Sequence, residues 1–309
     1  MRILITGGAG FIGSNIADAC KKDGHEILIV DNFSTGLEKN LEYGHQCVRI
    51  DINADEMQQV FRDFKPEVVI HNAAQVSVGR SLKEPLLDQE INIRGTLNIL
   101  QGCVDNGVRK IIYPSSAAVY GLPSYLPIKE SHTINPESFY GITKYTPELY
   151  IKSFNKLYGL DYTILRYSNV YGPRQDPRGE GGVIAIFLDK ISRGERPVVL
   201  GDGYQTRDFI FIDDVVNANL ASLCLGSQGT VNVSSNTSVS LNELLNILGE
   251  IVGNSLSPIY EEERPGDIRD SQLDNSCAIQ MLSWTPQIDL KTGLSNTLIY
   301  YNKSRKVLL

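Results

Sequence analysis

The sequence predicts an α/β protein built on a doubly wound parallel sheet, with a smaller mixed α/β lobe beside it. Three observations predict this. Apolar strands alternate with amphipathic helices through residues 1–167. The strands are unbroken apolar runs such as Ile3-Leu4-Ile5, the mark of a sheet covered on both faces. The connections are short, and repeated β-α-β units with short links give a parallel, doubly wound sheet.

Arg2–Thr6 reads as a buried strand and Phe11–Lys22 as the helix that follows it. A second strand is expected at 25–31, a short third at 48–51, and a helix at 54–64. Pro66 precedes a fourth strand at 68–72. One long helix is expected at 86–106, a fifth strand at Lys110–Ser116, another long helix at 136–158 and a sixth strand at 162–167. Pro147 falls inside that last helix, where it removes an N–H and crowds the carbonyl of Thr143. A kink costing roughly 3 kcal/mol is expected there, which argues against a straight helix. Beyond 167 the texture changes. Residues 171–182, YGPRQDPRGEGG, form a loop by composition, and helices follow at 183–193 and Leu241–Val252. The expected division is a first domain of 1–167 to which 208–229 returns, and a second lobe from 168–207 and 230–309.

Twenty-nine Lys+Arg against 36 Asp+Glu leave a net charge of −7, with a pI of about 5.2. That balance excludes a general nucleic-acid binder, so any anionic ligand must be met by a few aimed Arg side chains or helix N-termini. No apolar run reaches the roughly 18 residues of a membrane span. Met1 runs at once into Arg2-Ile3-Leu4-Ile5, too short and too early for a signal segment. Cys20, Cys47, Cys103, Cys224 and Cys277 are scattered without metal spacing, so reduced thiols in a cytoplasmic protein are expected, with no structural metal and no disulfide. A hydrophobic share of 42% excludes disorder.

The first strand ends in Thr6-Gly7-Gly8-Ala9-Gly10-Phe11-Ile12-Gly13. A bare GxxGxxG is weak, but this one leaves a buried strand and opens a helix, the setting of a Rossmann-type dinucleotide site. Gly7 permits the tight turn, Gly10 lets backbone approach a pyrophosphate, and Gly13 lets helix pack on strand. The phosphates then meet helix N–H groups at the positive dipole end. Asp31 ends the second strand, where a carboxylate accepts hydrogen bonds from the adenosine ribose and repels a 2′-phosphate, favouring NAD over NADP. Asp51 and Ile52, at the end of the third strand, are placed beside the adenine.

The fifth strand runs into Ser115-Ser116-Ala117-Ala118-Val119-Tyr120-Gly121, and Tyr140-Gly141-Ile142-Thr143-Lys144 opens the next helix. Tyr140 and Lys144 are four apart and share a helix face. A phenol with a pKa near 10 is a poor base at neutral pH, and an adjacent ammonium brings the phenolate within reach. A serine hydroxyl at the neighbouring strand end, Ser116, can hold the reacting alcohol.

With these segments in view, the chain resembles the extended short-chain dehydrogenases/reductases, and among them the UDP-hexose 4-epimerase group. The likeness runs through TGGAGFIG (6–13), DNFSTG (31–36), HNAAQVSV (71–78), SSAAVYG (115–121), YGITK (140–144), RYSNVYGPRQ (166–175), GDGYQTRDFIFIDDV (201–215) and RPGDIRDS (264–271). It implies a resident NAD, a proton taken from the sugar 4-hydroxyl by Tyr140 with help from Lys144, a transient 4-keto sugar, and return of the hydride to the opposite face of C4. It implies that Phe11, Ile12, Asn32, Ser34, Gly36, Ala73, Ala74, Asn92, Ser115 and Tyr167 line the cofactor. It assigns the UDP moiety to Asn169, Arg207, Arg264 and Asp267, with Val183 and Leu200 receiving the uracil. It also implies a homodimer paired through the helices at 86–106 and 136–158.

The resemblance leaves rival activities to weigh. The dehydratases carry Asp-Glu before VYG and the decarboxylases a Glu, where this chain has Ala117-Ala118, which cannot act as acid or base. UDP-glucuronate 4-epimerases tend to have an Arg where this chain has Asp176, whose charge would repel a uronate, although Arg178 lies close by. A non-catalytic NAD-binding protein on the same fold would lack the Tyr or the Lys. Ser271, seven residues past Arg264, occupies the place near the sugar 2-substituent where a large Tyr restricts members to glucose and galactose. A Ser there leaves room for an N-acetyl group, so UDP-GlcNAc and UDP-GalNAc are expected alongside UDP-glucose and UDP-galactose. His71 is expected to be a hydrogen-bonded core residue, and Trp284, Tyr300 and Tyr301 to pack.

Overall fold

The computed structural model describes residues 1–41, 43–178, 182–263 and 268–306, with side chains as far as 303. The first half runs β1 (Arg2–Thr6), α1 (Phe11–Lys22), β2 (Glu26–Asp31), β3 (Gln46–Arg49), α2 (Met57–Phe64), β4 (Val68–His71), α3 (Val78–Lys83), α4 (Pro85–Gln89), a π-helical turn (Glu90–Arg94), α5 (Gly95–Asp105), β5 (Lys110–Ser116), α6 (Phe139–Tyr158) and β6 (Asp161–Tyr167). The second runs β7 (Asn169–Tyr171), α7 (Val183–Ser192), β8 (Val198–Leu200), β9 (Thr206–Arg207), β10 (Phe209–Phe211), α8 (Ile212–Ser222), β11 (Gly229–Val233), β12 (Val239–Ser240), α9 (Leu241–Val252), β13 (Ile259–Glu261), α10 (Ser276–Leu282) and α11 (Leu290–Lys306).

Seven strands form one sheet in the order β11-β6-β5-β4-β1-β2-β3, and every pairing in it is parallel. This is the doubly wound sheet expected from the sequence. Its order reverses between β1 and β4, the switch point outside which ligands bind in such sheets. Side chains alternate across the sheet: Ile3 and Ile5 enter one apolar cluster and Leu4 the other. The first cluster continues without a break into Phe187, Leu188, Leu244 and Leu248 of the later helices. Three two-stranded sheets, β10-β7, β12-β9 and β13-β8, support the second half. None of the described helices is long and apolar enough to cross a membrane.

Several boundaries differ from the sequence reading. Strand three lies at Gln46–Arg49, so Asp51 and Ile52 fall in the loop beyond it. There Asp51 accepts from the backbone of Asn53 at 2.8 Å and from Asn32 at 2.7 Å. The last sheet strand reaches Val233, so residues 230–233, expected in the second lobe, are bonded into the large sheet against β6. The single helix expected at 86–106 runs unbroken from Pro85 to Asp105, with a π-helical turn at Glu90–Arg94 inside it, and is preceded by α3, which the sequence reading left out. Ser77 caps α3 by accepting from the N–H of Arg80 at 2.8 Å, and Pro85 opens α4. Pro147 does not break α6, which runs continuously through it from Phe139 to Tyr158.

Candidate active site

One large cleft, about 1230 Å³, lies along the carboxyl ends of the strands. The glycine turn forms its floor. A Cβ on Gly13 would stand 2.3 Å from the carbonyl oxygen of Gly7, and one on Gly7 would stand 2.6 Å from the backbone nitrogen of Ala73. No larger residue fits at either place. Gly10 precedes α1 with no side-chain cap and no acidic residue in the first turn, leaving the helix N–H groups and dipole for an anion.

Asp31 closes one end of this floor. Its carboxylate accepts from the backbone N–H of Ala9 and of Phe33, each at 2.8 Å. One bond per oxygen leaves acceptor capacity for ribose hydroxyls.

At the other end, β5 delivers Ser115 and Ser116 and α6 delivers Tyr140 and Lys144. The start of α6 is fixed twice. Ser138 accepts from the N–H of Gly141 at 3.1 Å, and Ser81 of α3 accepts from the N–H of Tyr140, also at 3.1 Å. The Ser116 and Tyr140 side chains meet at this end of the cleft. Burial pushes the phenol up, the neighbouring Ser116 hydroxyl opposes this, and the Asp88 carboxylate adds to the rise. Lys144 is buried, donates to the carbonyl of Pro114 at 2.5 Å and stands 4.4 Å from the centre of the Tyr113 ring. Burial pushes its ammonium down to about 7, against the support of Glu148 and Asp88. The charge that the sequence reading took for granted on Lys144 is therefore conditional near neutrality.

Every cofactor residue expected from the sequence lines this cleft except Asn92, which lies behind it. Asn92 accepts from the N–H of Gln75 at 2.8 Å and donates to the hydroxyl of Thr143 at 3.0 Å. Of the substrate set, Ser116, Tyr140, Asn169 and Val183 line the cleft, while Leu200, Arg207 and Ser271 do not. Arg207 donates to the carbonyls of Thr206 and Arg269, and Ser271 is buried. Arg264 and Asp267 lie outside the described residues.

Residues 3–234 match the family described as NAD dependent epimerase/dehydratase. The chain belongs to that family. It is 39% identical over 313 residues to a UDP-glucose 4-epimerase of Mycolicibacterium smegmatis, covering 99% of this chain and 100% of the relative. Among solved structures it is similar to a UDP-glucose 4-epimerase of Thermotoga maritima with UDP-glucose, at 42% identity and a TM-score of 0.97, covering 99% of this chain and 100% of that one. It is also similar to a UDP-N-acetylglucosamine 4-epimerase of Methanobrevibacter ruminantium in complex with UDP-N-acetylmuramic acid, at 37% identity and a TM-score of 0.94, covering 98% of each chain.

As a member of the NAD dependent epimerase/dehydratase family, the protein takes NAD, and the cleft fits it. The glycine cradle that a Cβ would fill, the uncapped start of α1, and the buried Asp31 with acceptor capacity left all suit it. His71 behaves as the core residue expected. It bonds Thr6 at 2.7 Å and Thr96 at 3.0 Å, and burial with the nearby Lys144 pushes it down to about 3. Trp284 is buried and donates to the carbonyl of Asp214.

Two carboxylates beneath the site escaped the sequence reading. Glu148 continues the face of Tyr140 and Lys144 by one more turn, a spacing that could have found it. It is fully buried and takes two guanidinium nitrogens of Arg166 at 2.6 and 3.0 Å. Asp88, also fully buried, gave no such signal.

Proposed function

We propose that this protein is a UDP-hexose 4-epimerase that inverts C4 of UDP-glucose and UDP-galactose. The observation that carries the reading is the convergence of Tyr140, Ser116 and Lys144 at the end of a cleft shaped for a dinucleotide. NAD held in that cleft supplies the hydride acceptor and donor that oxidise C4 to a ketone and reduce it again. Ser116 holds the sugar 4-hydroxyl, and Tyr140 takes and returns its proton. Buried Lys144 lines the same end of the cleft, where low polarity makes its charge count. Asn169 and Val183 face the cleft where the nucleotide half is expected; Arg207 and Arg264 are assigned the diphosphate, and Asp267 with Asn169 the polarity and register of the UDP moiety.

The small Ser271 extends the reading to UDP-GlcNAc and UDP-GalNAc, and the likeness to a UDP-N-acetylglucosamine 4-epimerase supports it. A uronate is disfavoured. Arg178, the nearby cation weighed as an offset to a substrate carboxylate, is already bonded to Asp176 through its backbone and two side-chain nitrogens at 3.0–3.1 Å. Ala117 and Ala118 offer no acid or base for dehydration or decarboxylation. Exposed apolar residues on α4 and α6, Leu86, Leu149, Tyr150, Leu157 and Tyr158, support pairing as a homodimer. The free cysteines suit a cytoplasmic protein.

The test is direct. Purified protein is incubated separately with UDP-glucose, UDP-GlcNAc and UDP-glucuronate, and the 4-epimers are resolved by chromatography. Conversion of the first two is expected. No conversion of UDP-glucose by NAD-loaded protein would sink the reading.

A further inference from the structure

Asp88 is the last charged residue of α4 and is fully buried. Its carboxylate accepts three hydrogen bonds, from Thr143 at 2.6 Å, Gln75 at 2.6 Å and Asn92 at 3.2 Å. All three donors are neutral. Glu148, the other buried carboxylate here, is neutralised in contact by Arg166. An ionised carboxylate held only by neutral donors is costly to bury, so its nearest cation matters. Thr143 connects Asp88 to the reacting pair, because it lies between Tyr140 and Lys144 and its hydroxyl also stands 3.2 Å from the carbonyl of Tyr140.

We propose that Asp88 is a positioning residue whose buried negative charge, paired with no guanidinium among the described residues, joins Glu148 as counter-charge of Lys144 and sets the pH window in which the Tyr140–Lys144 pair works. This rests on the reading of the site as a 4-epimerase. The charged and titratable surroundings of the pair are few. Glu148 lies on its own helix, Asp88 on α4, His71 on β4, Tyr113 on β5, and Arg166 on β6 behind Glu148. His71, pushed down to about 3, stays neutral over the working range. Tyr113 is held well above the ordinary phenol by burial. Arg166 is committed to Glu148. Asp88 supports the charged form of Lys144 and opposes the phenolate of Tyr140. Its removal therefore lowers the proton affinity of both groups, and both limbs of the activity profile move the same way.

The test is Asp88→Asn, which conserves shape. The amide oxygen can keep Gln75 and Asn92, and its nitrogen can donate to Thr143 if that hydroxyl turns to the Tyr140 carbonyl. The kcat/KM profile against pH is measured for UDP-glucose with the NAD-loaded wild type and the variant. Both midpoints are expected to move to lower pH by about one unit, with NAD retained. Thr143→Val, which removes that hydroxyl's hydrogen bonds with Asp88, Asn92 and the Tyr140 carbonyl but leaves the charge, should lower kcat without moving the midpoints. A variant that is active with unmoved midpoints overturns the proposal, as does an Asp88→Asn chain that fails to fold, since either makes Asp88 a brace rather than a charge. Absence of activity in the wild type itself would instead overturn the epimerase reading.

Discussion

Ser115 donates a 2.6 Å hydrogen bond to the carboxylate of Glu148, one turn below Lys144. The same carboxylate holds Arg166, whose NH1 reaches the hydroxyl of Tyr120 at 3.0 Å, and Tyr120 in turn donates to Asn232 at 2.6 Å. A cleft-lining serine is thereby tied through a buried ion pair to a strand at the far edge of the sheet.

That pair should show itself as a stability effect. Arg166→Met leaves Glu148 buried and uncompensated and should cost about 3–5 kcal/mol in urea unfolding. Replacing both charges together, as Glu148→Met with Arg166→Met, should recover much of this. The recovery is partial, because Ser115 and Tyr120 each lose a partner. A single variant as stable as the double one would contradict this account.

Tyr140→Phe should fold, keep NAD and lose epimerisation by about 10²–10⁴-fold, since no other group near Ser116 can take the 4-hydroxyl proton. Lys144→Met should act in the same direction and move the pH optimum upward, because the phenolate loses a cationic neighbour. Initial rates over a pH series check both; a Phe variant with most of its activity intact rules out Tyr140 as base.

Asp31→Ala removes the acceptor expected to hold the adenosine ribose, and it also frees the N–H groups of Ala9 and Phe33. NAD should bind more weakly and the bias against NADP should shrink. Titration with each dinucleotide measures this. Wild-type protein purified with NADP in place of NAD would refute the assignment.

Asp208 carries a pH dependence of opposite sense to most carboxylates. Burial pushes it up to about 6, despite bonds from the backbone of Leu273 and from Ser235. Because its folded value is raised, its contribution to stability is full below about 4 and is lost as pH rises through about 6. The stability advantage of the wild type over Asp208→Asn should therefore grow as pH falls from 6 toward 4. Paired denaturation curves across that window decide it; a constant difference would remove Asp208 from the account.

Ser271→Tyr should abolish turnover of UDP-GlcNAc while leaving UDP-glucose a substrate. Ser271 is buried, so an added ring must press on its surroundings. Parallel loss of both activities would mean that the residue only packs.

Much of this was legible in the sequence because it is local. The bounds of β1, α1, β5 and α9 follow from apolar periodicity and end signals, and the glycine turn announces itself by spacing. The small sheets of the second half have strands of two or three residues, too short for any period to show. Asp88 was invisible for another reason. A charged residue in a helix is read as facing water, and only the fold brings Gln75, Asn92 and Thr143 around it.

The π-helical turn at Glu90–Arg94 has a consequence for the chain's tolerance of insertions and deletions. Such a turn amounts to an α-helix carrying one extra residue. Deleting one residue there would let the helix run on regularly, and it would rotate everything upstream by about 100° relative to α5. Asp88 and its neighbours would swing off Thr143 although no side chain of the active site had been altered. The register of a helix, set by a single surplus residue, thus holds part of the site's geometry, and a frame-preserving deletion at Glu90, which leaves Tyr140, Lys144 and Ser116 in place, should disable it as surely as the loss of Tyr140.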